Sequence, residues 1–282
     1  MADVAAVLVG INKYPNPKHV LRGSVNDILY MKKILVDNYK VDPANIRLLL
    51  DERATAKAIR ERLHWLTVQQ RKNLLFYYSG HGSQVRNKSE DYEKDHMDEI
   101  LCPVDFDWDP EHYILDDEID AFAATVPADQ RFILVTDACH SGSMYRALAP
   151  SVEYKVKCIP APFEEELQLR GVSSSHWFLD GLIDFFTHWS HKKPKKLRDN
   201  VVALSACKDD EVSADTYFPG ASNGYYDGRF QGAFSFFFQY ALLHSETQTL
   251  PDIIHTTKKL LRRYMYPQTP VYTGKKDETL FM

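Results

Sequence analysis

The chain has 282 residues, 44% hydrophobic and 26% charged, which is ordinary for a globular protein with a full core. Its formal net charge of -5 leaves no basic surface for nucleic acid, so we expect no nucleic-acid partner. The first residues lack the basic start and long apolar core of an export signal, and no uncharged apolar stretch reaches membrane-spanning length. These features predict a cytoplasmic protein without membrane contact.

Four cysteines are present: Cys102, Cys139, Cys158 and Cys207. They form no Cys-x-x-Cys pair, so the pattern does not indicate a zinc site. In a reducing cytoplasm we expect free thiols, one of which can serve as a nucleophile.

The first part of the chain alternates continuous apolar runs with amphipathic patterns. The predicted elements, in chain order, are a strand at 4–10, a helix at 24–39, a strand at 46–50, a helix at 55–69, a strand at 73–79, a helix at 116–126 and a strand at 131–137. Ser24 and Thr55 are the expected caps of the first two helices. Apolar runs without alternation are typical of strands buried on both faces, so we predict a doubly wound, mostly parallel sheet.

The pattern breaks after residue 150. Residues 151–200 predict a linker or insertion that ends in a basic, proline-broken stretch. The remaining predicted elements are a strand at 201–206, helices at 232–244 and 251–266, and a last strand within 268–274.

Two predicted strands end in residues that carry chemistry. His81 follows the run 73–79 between two glycines, and Cys139 follows the run 131–137. Ligands of open parallel sheets bind beyond the carboxyl ends of the strands, so neighbouring strands would bring both side chains to one edge. A thiol beside an imidazole predicts a cysteine nucleophile with a general acid and base. The backbone N–H groups of Gly82 and Cys139 are the expected oxyanion hole.

Each of these residues has a plainer interpretation. A lone cysteine after a strand is usually a small buried residue, and a histidine between glycines is usually a turn residue. The pair at two strand ends favours the catalytic interpretation.

The ordered motifs resemble those of metacaspases, a family of caspase-like cysteine peptidases. They are YYSGHGSQ (77–84), DEILCPVDFD (98–107), DDEI (116–119), DACHSGS (137–143), ALSACKDDEVSAD (203–215) and GRFQGAFSFFFQYAL (228–242). The resemblance implies a single caspase-like domain over 1–282, with a mostly parallel central sheet flanked by helices on both faces. Residues 1–150 would form the large-subunit-like region with the dyad, 151–200 the linker, and 201–282 the small-subunit-like region. It also implies a His81–Cys139 dyad and a protein that is typically a monomer.

The resemblance further implies cleavage of protein or peptide substrates after arginine or lysine. The family's pocket positions correspond here to Asp27, Ser79 and Asp137, with Ser24 where many relatives carry cysteine. For Asp27 the plainer interpretation is a helix-start residue on a solvated face, and for Asp137 a strand-end carboxylate that caps a turn.

A calcium site is also implied by the resemblance. Asp98, Asp116 and Asp117 match three of the family's ligand positions, but Arg146 stands where a fourth aspartate is usual. Hard cations need several oxygen ligands, and a cation there adds repulsion. An acidic helix N-terminus explains Asp116 and Asp117 equally well. We therefore expect calcium to be a dispensable cofactor.

Metacaspases often cut themselves in the linker, and we predict self-cleavage within 155–198 without a preferred site. The basic residues of this linker are Lys155, Lys157, Arg170, Lys192, Lys193, Lys195, Lys196 and Arg198. Two alternatives to an Arg/Lys-directed endopeptidase stay open: an inactive caspase-like scaffold or binding protein, and a peptidase that selects another residue before the cleaved bond.

Overall fold

The structure is a computed structural model that describes residues 2–86, 97–140, 154–161, 198–209, 211–219 and 229–281. Its strands are β1 (Val4–Gly10), β2 (Ile46–Leu50), β3 (Asn73–Ser79), β4 (His81–Arg86), β5 (Met97–Cys102), β6 (Ile114–Leu115), β7 (Arg131–Asp137), β8 (Tyr154–Val156), β9 (Val201–Ser205), β10 (Ala214–Phe218), β11 (Arg229–Gly232) and β12 (Val271–Thr273). The described helices of two or more turns are α1 (Ser24–Asp37), α2 (Ala56–Thr67), α3 (Asp116–Ala124), α4 (Ala233–His244) and α5 (Leu250–Arg263).

A six-stranded sheet forms the centre of the molecule, in the order β12-β9-β7-β3-β1-β2. Every neighbouring pair is parallel except β12 and β9. Strands from both halves of the sequence therefore lie in one sheet. All seven residues of β1 and of β3 are buried, which explains their continuous apolar character.

Helices cover both faces of the central sheet. Side chains of α2 and α3 pack on one face in a core that includes Val7, Phe76 and Phe132. Side chains of α1, α4 and α5 pack on the other face in a core that includes Leu8 and Tyr77. Successive residues of a strand point to opposite faces, so each central strand contributes to both cores. The predicted α/β fold class is confirmed, and none of the described helices is long and apolar enough to cross a membrane.

One of the two helix caps is confirmed. The hydroxyl of Thr55 accepts a hydrogen bond from the N–H of Ala58 at 3.2 Å. The prediction for Ser24 was wrong, because Gly23 is the N-cap and Ser24 is the first helical residue. The N–H of Arg22, just before α1, donates instead to the carboxylate of Asp215 at 2.7 Å. A partner almost 200 residues away in sequence cannot be predicted from local pattern.

Within the described residues, two small sheets lie outside the central one. Strands β4, β5 and β6 form an antiparallel sheet directly after β3. Strands β11, β10 and β8 form another, in which β10 is central and pairs with β8 in antiparallel register. β8 comes from the predicted linker, so part of that segment is built into the fold.

Candidate active site

His81 and Cys139 emerge from the same edge of the central sheet. β3 and β7 are neighbours, and the last pair in their register is Ser79 with Asp137. His81 and Cys139 each follow that pair by two residues, at the carboxyl ends of parallel strands. Both are buried, with exposed fractions of 2% and 0%.

The imidazole of His81 is held by the backbone of a loop near the N-terminus. Its Nε2 lies 2.7 Å from the carbonyl oxygen of His19, and its ring packs on that of Tyr14 with centroids 4.7 Å apart. A carbonyl can only accept, so Nε2 carries the proton and Nδ1 keeps a lone pair. Nδ1 is buried and has no hydrogen-bond partner among the described residues. Burial lowers the pKa of His81 to about 3, so the ring is a neutral base.

The thiol of Cys139 faces residues from the second half of the chain. Its Sγ lies 3.6 Å from the carbonyl oxygen of Ser213 and is also contacted by the N–H of Ser213. Cys207 packs in the same buried cluster. A hydrogen bond with Cys139, and then burial, raises the pKa of the Cys207 thiol well above its ordinary value. Because Nδ1 of His81 has no partner, thiol and imidazole are near one sheet edge without a hydrogen bond between them.

The two predicted oxyanion donors converge on one atom. The N–H groups of Gly82 and Cys139 both donate to the carbonyl oxygen of Lys157, at 3.2 and 3.1 Å. At Gly82 the backbones approach so closely that a Cβ would lie 2.4 Å from the carbonyl oxygen of Cys139. Only glycine fits this position. A carbonyl bound by two convergent N–H groups has the environment that an oxyanion hole provides.

The side chain of Lys157 fills a closed acidic pocket. Its Nζ lies 3.1 Å from Oδ2 of Asp27 and 3.2 Å from Oδ2 of Asp137, and it donates to the hydroxyl of Ser79 at 2.8 Å. All four side chains are fully buried. The structure thus brings together three of the four predicted pocket residues around a lysine of the chain itself.

Both carboxylates are held in place by further donors. Asp27 accepts from the N–H of Gly232 at 2.9 Å. Asp137 accepts from the hydroxyls of Ser213 and Ser235 at 2.6 and 2.5 Å. A Cβ at Gly232 would lie 2.1 Å from Oδ2 of Asp137 and 2.5 Å from Nζ of Lys157, so a glycine is needed here to leave room for the pocket.

The charges of the pocket depend on one another. Burial alone would lower the pKa of Lys157, but Asp137, Asp27 and Asp215 together raise it above its ordinary value. Burial raises the pKa of Asp27, against the opposing effect of Lys157. For Asp215, burial likewise raises the pKa. The pocket therefore stabilises an ammonium ion, and its carboxylates depend on that cation.

Sequence reasoning did not assign five residues of this site: Lys157, Ser213, Asp215, Gly232 and Ser235. The segments EVSAD and FQGAFS, in which four of them lie, carried a family signal but no roles. Lys157 was one of eight basic linker residues, with nothing in the local sequence to distinguish it.

Ser24 and the predicted calcium ligands lie apart from these contacts. Ser24 is buried in the first turn of α1, and its hydroxyl has no hydrogen-bond partner among the described residues. Asp98 lies on β5, and Asp116 and Asp117 begin α3. Within the described ranges, no group of three or more His, Cys, Asp or Glu side chains is arranged to hold a metal ion. Arg146 lies outside the described residues.

Comparison with solved structures identifies the fold. Caspase-1 from Spodoptera frugiperda superposes with a TM-score of 0.52 at 11% identity, over 99% of this chain and 88% of that one. A protein from Geobacter sulfurreducens superposes with a TM-score of 0.64 at 22% identity, over 98% of this chain and 95% of that one. These likenesses, with the mixed central sheet and its flanking helices, define a caspase-like α/β fold.

Sequence comparison then gives the family. Residues 5–147 match the model described as metacaspase, peptidase C14 domain. Metacaspase-1 of Arabidopsis thaliana is 32% identical over 222 residues, 75% of this chain and 53% of that protein. Metacaspase-1A of Aspergillus oryzae is 30% identical over 292 residues, 94% of this chain and 66% of that protein. The chain belongs to the metacaspase family, as its motifs predicted, and it spans between half and two thirds of the length of these relatives.

Proposed function

We propose that this chain is a cysteine endopeptidase that cleaves after lysine and arginine, and that its own Lys157–Cys158 bond is its first substrate. One observation carries the proposal. A single lysine places its side chain between two buried carboxylates while its carbonyl oxygen accepts the N–H groups of Gly82 and Cys139. This is the arrangement expected of the residue before a scissile bond.

The reaction follows from the groups around that carbonyl. The thiol of Cys139 turns from Ser213 to the carbonyl carbon and transfers its proton to the neutral His81. The oxyanion that forms stays between the N–H groups of Gly82 and Cys139. His81 then protonates the departing amine, and water hydrolyses the acyl-enzyme. In self-cleavage the leaving group is the amide nitrogen of Cys158.

The pocket explains why a basic residue is selected. Removing one partner from a buried ion pair leaves an uncompensated charge, so a neutral or acidic side chain would bind poorly beside Asp27 and Asp137. Arginine offers several N–H donors to the same carboxylates. Cleavage after asparagine or aspartate is disfavoured for this reason.

The test is a panel of fluorogenic peptides that differ only in Arg, Lys, Asn or Asp before the cleaved bond. We expect hydrolysis of the Arg and Lys peptides and a loss of more than about a thousandfold in Cys139→Ala and His81→Ala. The exposed His64→Ala is the matched control. A folded protein that cleaves none of the peptides would be the inactive scaffold, and cleavage after Asn or Asp alone would show another specificity.

Self-cleavage is tested by sequencing the new N-terminus after incubation. We expect a fragment that begins at Cys158 in the wild type and none in Cys139→Ala. Cleavage that persists in Cys139→Ala, or wild-type cleavage only elsewhere in the linker, contradicts the assignment of this bond.

The proposal includes neither a strict need for calcium nor a partner subunit. The described residues offer no assembled metal site, and the residues of the pocket and oxyanion hole all belong to one chain. The monomeric state stays a prediction.

A further inference from the structure

The residues that precede Lys157 are also bound to the body of the protein, in an extended conformation. Tyr154, Lys155 and Val156 form β8, which pairs in antiparallel register with Thr216, Asp215 and Ala214 of β10. The N–H of Lys157 donates to the carbonyl oxygen of Ser213 at 3.0 Å. Main-chain pairing of this kind binds any extended peptide, and specificity comes from pockets for alternate side chains.

Alternate side chains of the segment have very different surroundings. Lys155 points to solvent, and its Nζ donates to the backbone carbonyl of Val20. Val156 is half-buried against the cluster of Cys139, Cys207 and Val212. The second residue before the scissile bond thus packs beside the nucleophile, where an aliphatic side chain that favours extended backbone fits well.

Tyr154 is half-buried against a second apolar cluster. We call this the Phe218 cluster, and its members are Ala214, Phe218, Ala233, Phe237, Leu261 and Tyr266. Phe218 is its central ring, with centroids 5.6 Å from Phe237 and 6.0 Å from Tyr266. Aromatic pairs contribute beyond their buried area, so this surface favours an aromatic partner.

We propose that the Phe218 cluster is a specificity subsite, and that the enzyme prefers substrates with an aromatic residue four positions before the cut, a β-branched aliphatic residue two before, and lysine or arginine directly before it. This inference rests on the proposed function, because it treats residues 154–157 as a bound substrate strand. It goes further by assigning a role in substrate selection to residues of β10, α4 and α5.

The experiment uses four acetylated peptide coumarins: Tyr-Lys-Val-Lys, and the versions with alanine at the first, second or third position. Loss of the tyrosine ring is expected to lower kcat/KM roughly tenfold, and loss of the valine methyls roughly three- to tenfold. Replacement of the solvent-facing lysine should change kcat/KM less than about twofold. Wild type and Lys157→Ser are both assayed, since the substitution releases the segment from the pocket.

A pair of variants locates the subsite. Phe218→Ala should reduce kcat/KM for the tyrosine peptide about tenfold and leave kcat/KM for the version with alanine at the first position nearly unchanged. The preference for tyrosine over alanine would then be lost. Tyr217→Ala is the matched control, because Tyr217 is the next residue of β10 and is 51% exposed. If Phe218→Ala does not fold, the peptide series in wild type decides alone.

The outcomes separate the two proposals. Equal kcat/KM values for the peptides with tyrosine and with alanine at the first position would overturn the subsite and leave the proposed peptidase activity standing. If neither enzyme cleaves any lysine peptide, the proposed function fails and the subsite fails with it.

Discussion

Oδ2 of Asp27 lies 3.1 Å from Nζ of Lys157, and neither side chain is exposed to solvent. Burying two charges is unfavourable unless each is compensated. Here Nζ of Lys157 also contacts Asp137 and Ser79, so the ammonium group has three oxygen partners. A pocket built in this way retains a cation, whether from the chain itself or from a substrate.

Asp137→Asn should lower kcat/KM for Lys and Arg peptides roughly 30- to 5000-fold, because truncating one partner of a buried, hydrogen-bonded charge pair costs about 2–5 kcal/mol. Self-cleavage should slow in parallel. Steady-state assays of the variant beside Asp129→Asn, an exposed carboxylate, provide the measurement. Equal losses in both variants would show that the effect is not specific to the pocket.

Lys157→Met should destabilise the uncut protein by up to about 3–5 kcal/mol at neutral pH, because it leaves buried carboxylates without their cation. Burial raises the pKa of Asp27 to about 7 in the folded state, against the opposing effect of Lys157. Without Lys157 this pKa rises further, so above pH 7 the folded variant keeps a proton that the folded wild type has released and that the unfolded chain lost near pH 4. The deficit is therefore constant between about pH 5 and 7 and grows as pH rises from about 7 to 9.

Urea unfolding of the Cys139→Ala background, with and without Lys157→Met, measures this deficit at each pH. Lys155→Met is the control, since that neighbouring lysine is exposed. A deficit that is the same at pH 7 and pH 9 would argue against ionised carboxylates as its cause.

His81 should make the protein sensitive to acid. Its pKa is lowered from 6.5 to about 3 in the folded state, so only the unfolded chain takes up this proton between those values. Stability is thus complete above pH 6.5 and falls as pH decreases toward 3. His81→Gln should flatten the pH dependence of unfolding in this window, whereas His112→Gln should not, because Asp107 raises the pKa of that exposed residue.

Activity toward basic peptides should persist in a calcium chelator. The reason is chemical: Arg146 replaces an expected oxygen ligand, and the remaining aspartates form no assembled site in the described residues. Initial rates with chelator, with calcium and with magnesium make the comparison. Complete loss in chelator, restored only by calcium, is the result that would refute this expectation.

Much of the fold could be predicted from the sequence because buried strands leave a strong local signal. The runs that became β1, β3 and β7 are continuously apolar, and every residue of β1 and β3 is buried. His81 and Cys139 were predicted because each follows an apolar run within a motif, and Asp27 and Asp137 because they match the pocket positions of the family that the sequence resembles.

The rest depends on pairing between distant segments. Nothing near residue 157 in sequence indicates that this lysine, and not another of the linker, enters the pocket. That choice is made by the fit of β8 against β10 and by Gly82 and Cys139, which bind its carbonyl oxygen. Ser213 and Gly232 were missed for the same reason, since small residues acquire roles only through what approaches them.

The third strand of the β11-β10-β8 sheet is contributed by the same molecule that holds the thiol. Under the proposed self-cleavage, the thiol and the bond that it cuts are therefore tethered in one molecule, and cleavage is a first-order event whose half-time does not change on dilution. Each copy would be cut without meeting another copy that is already cut.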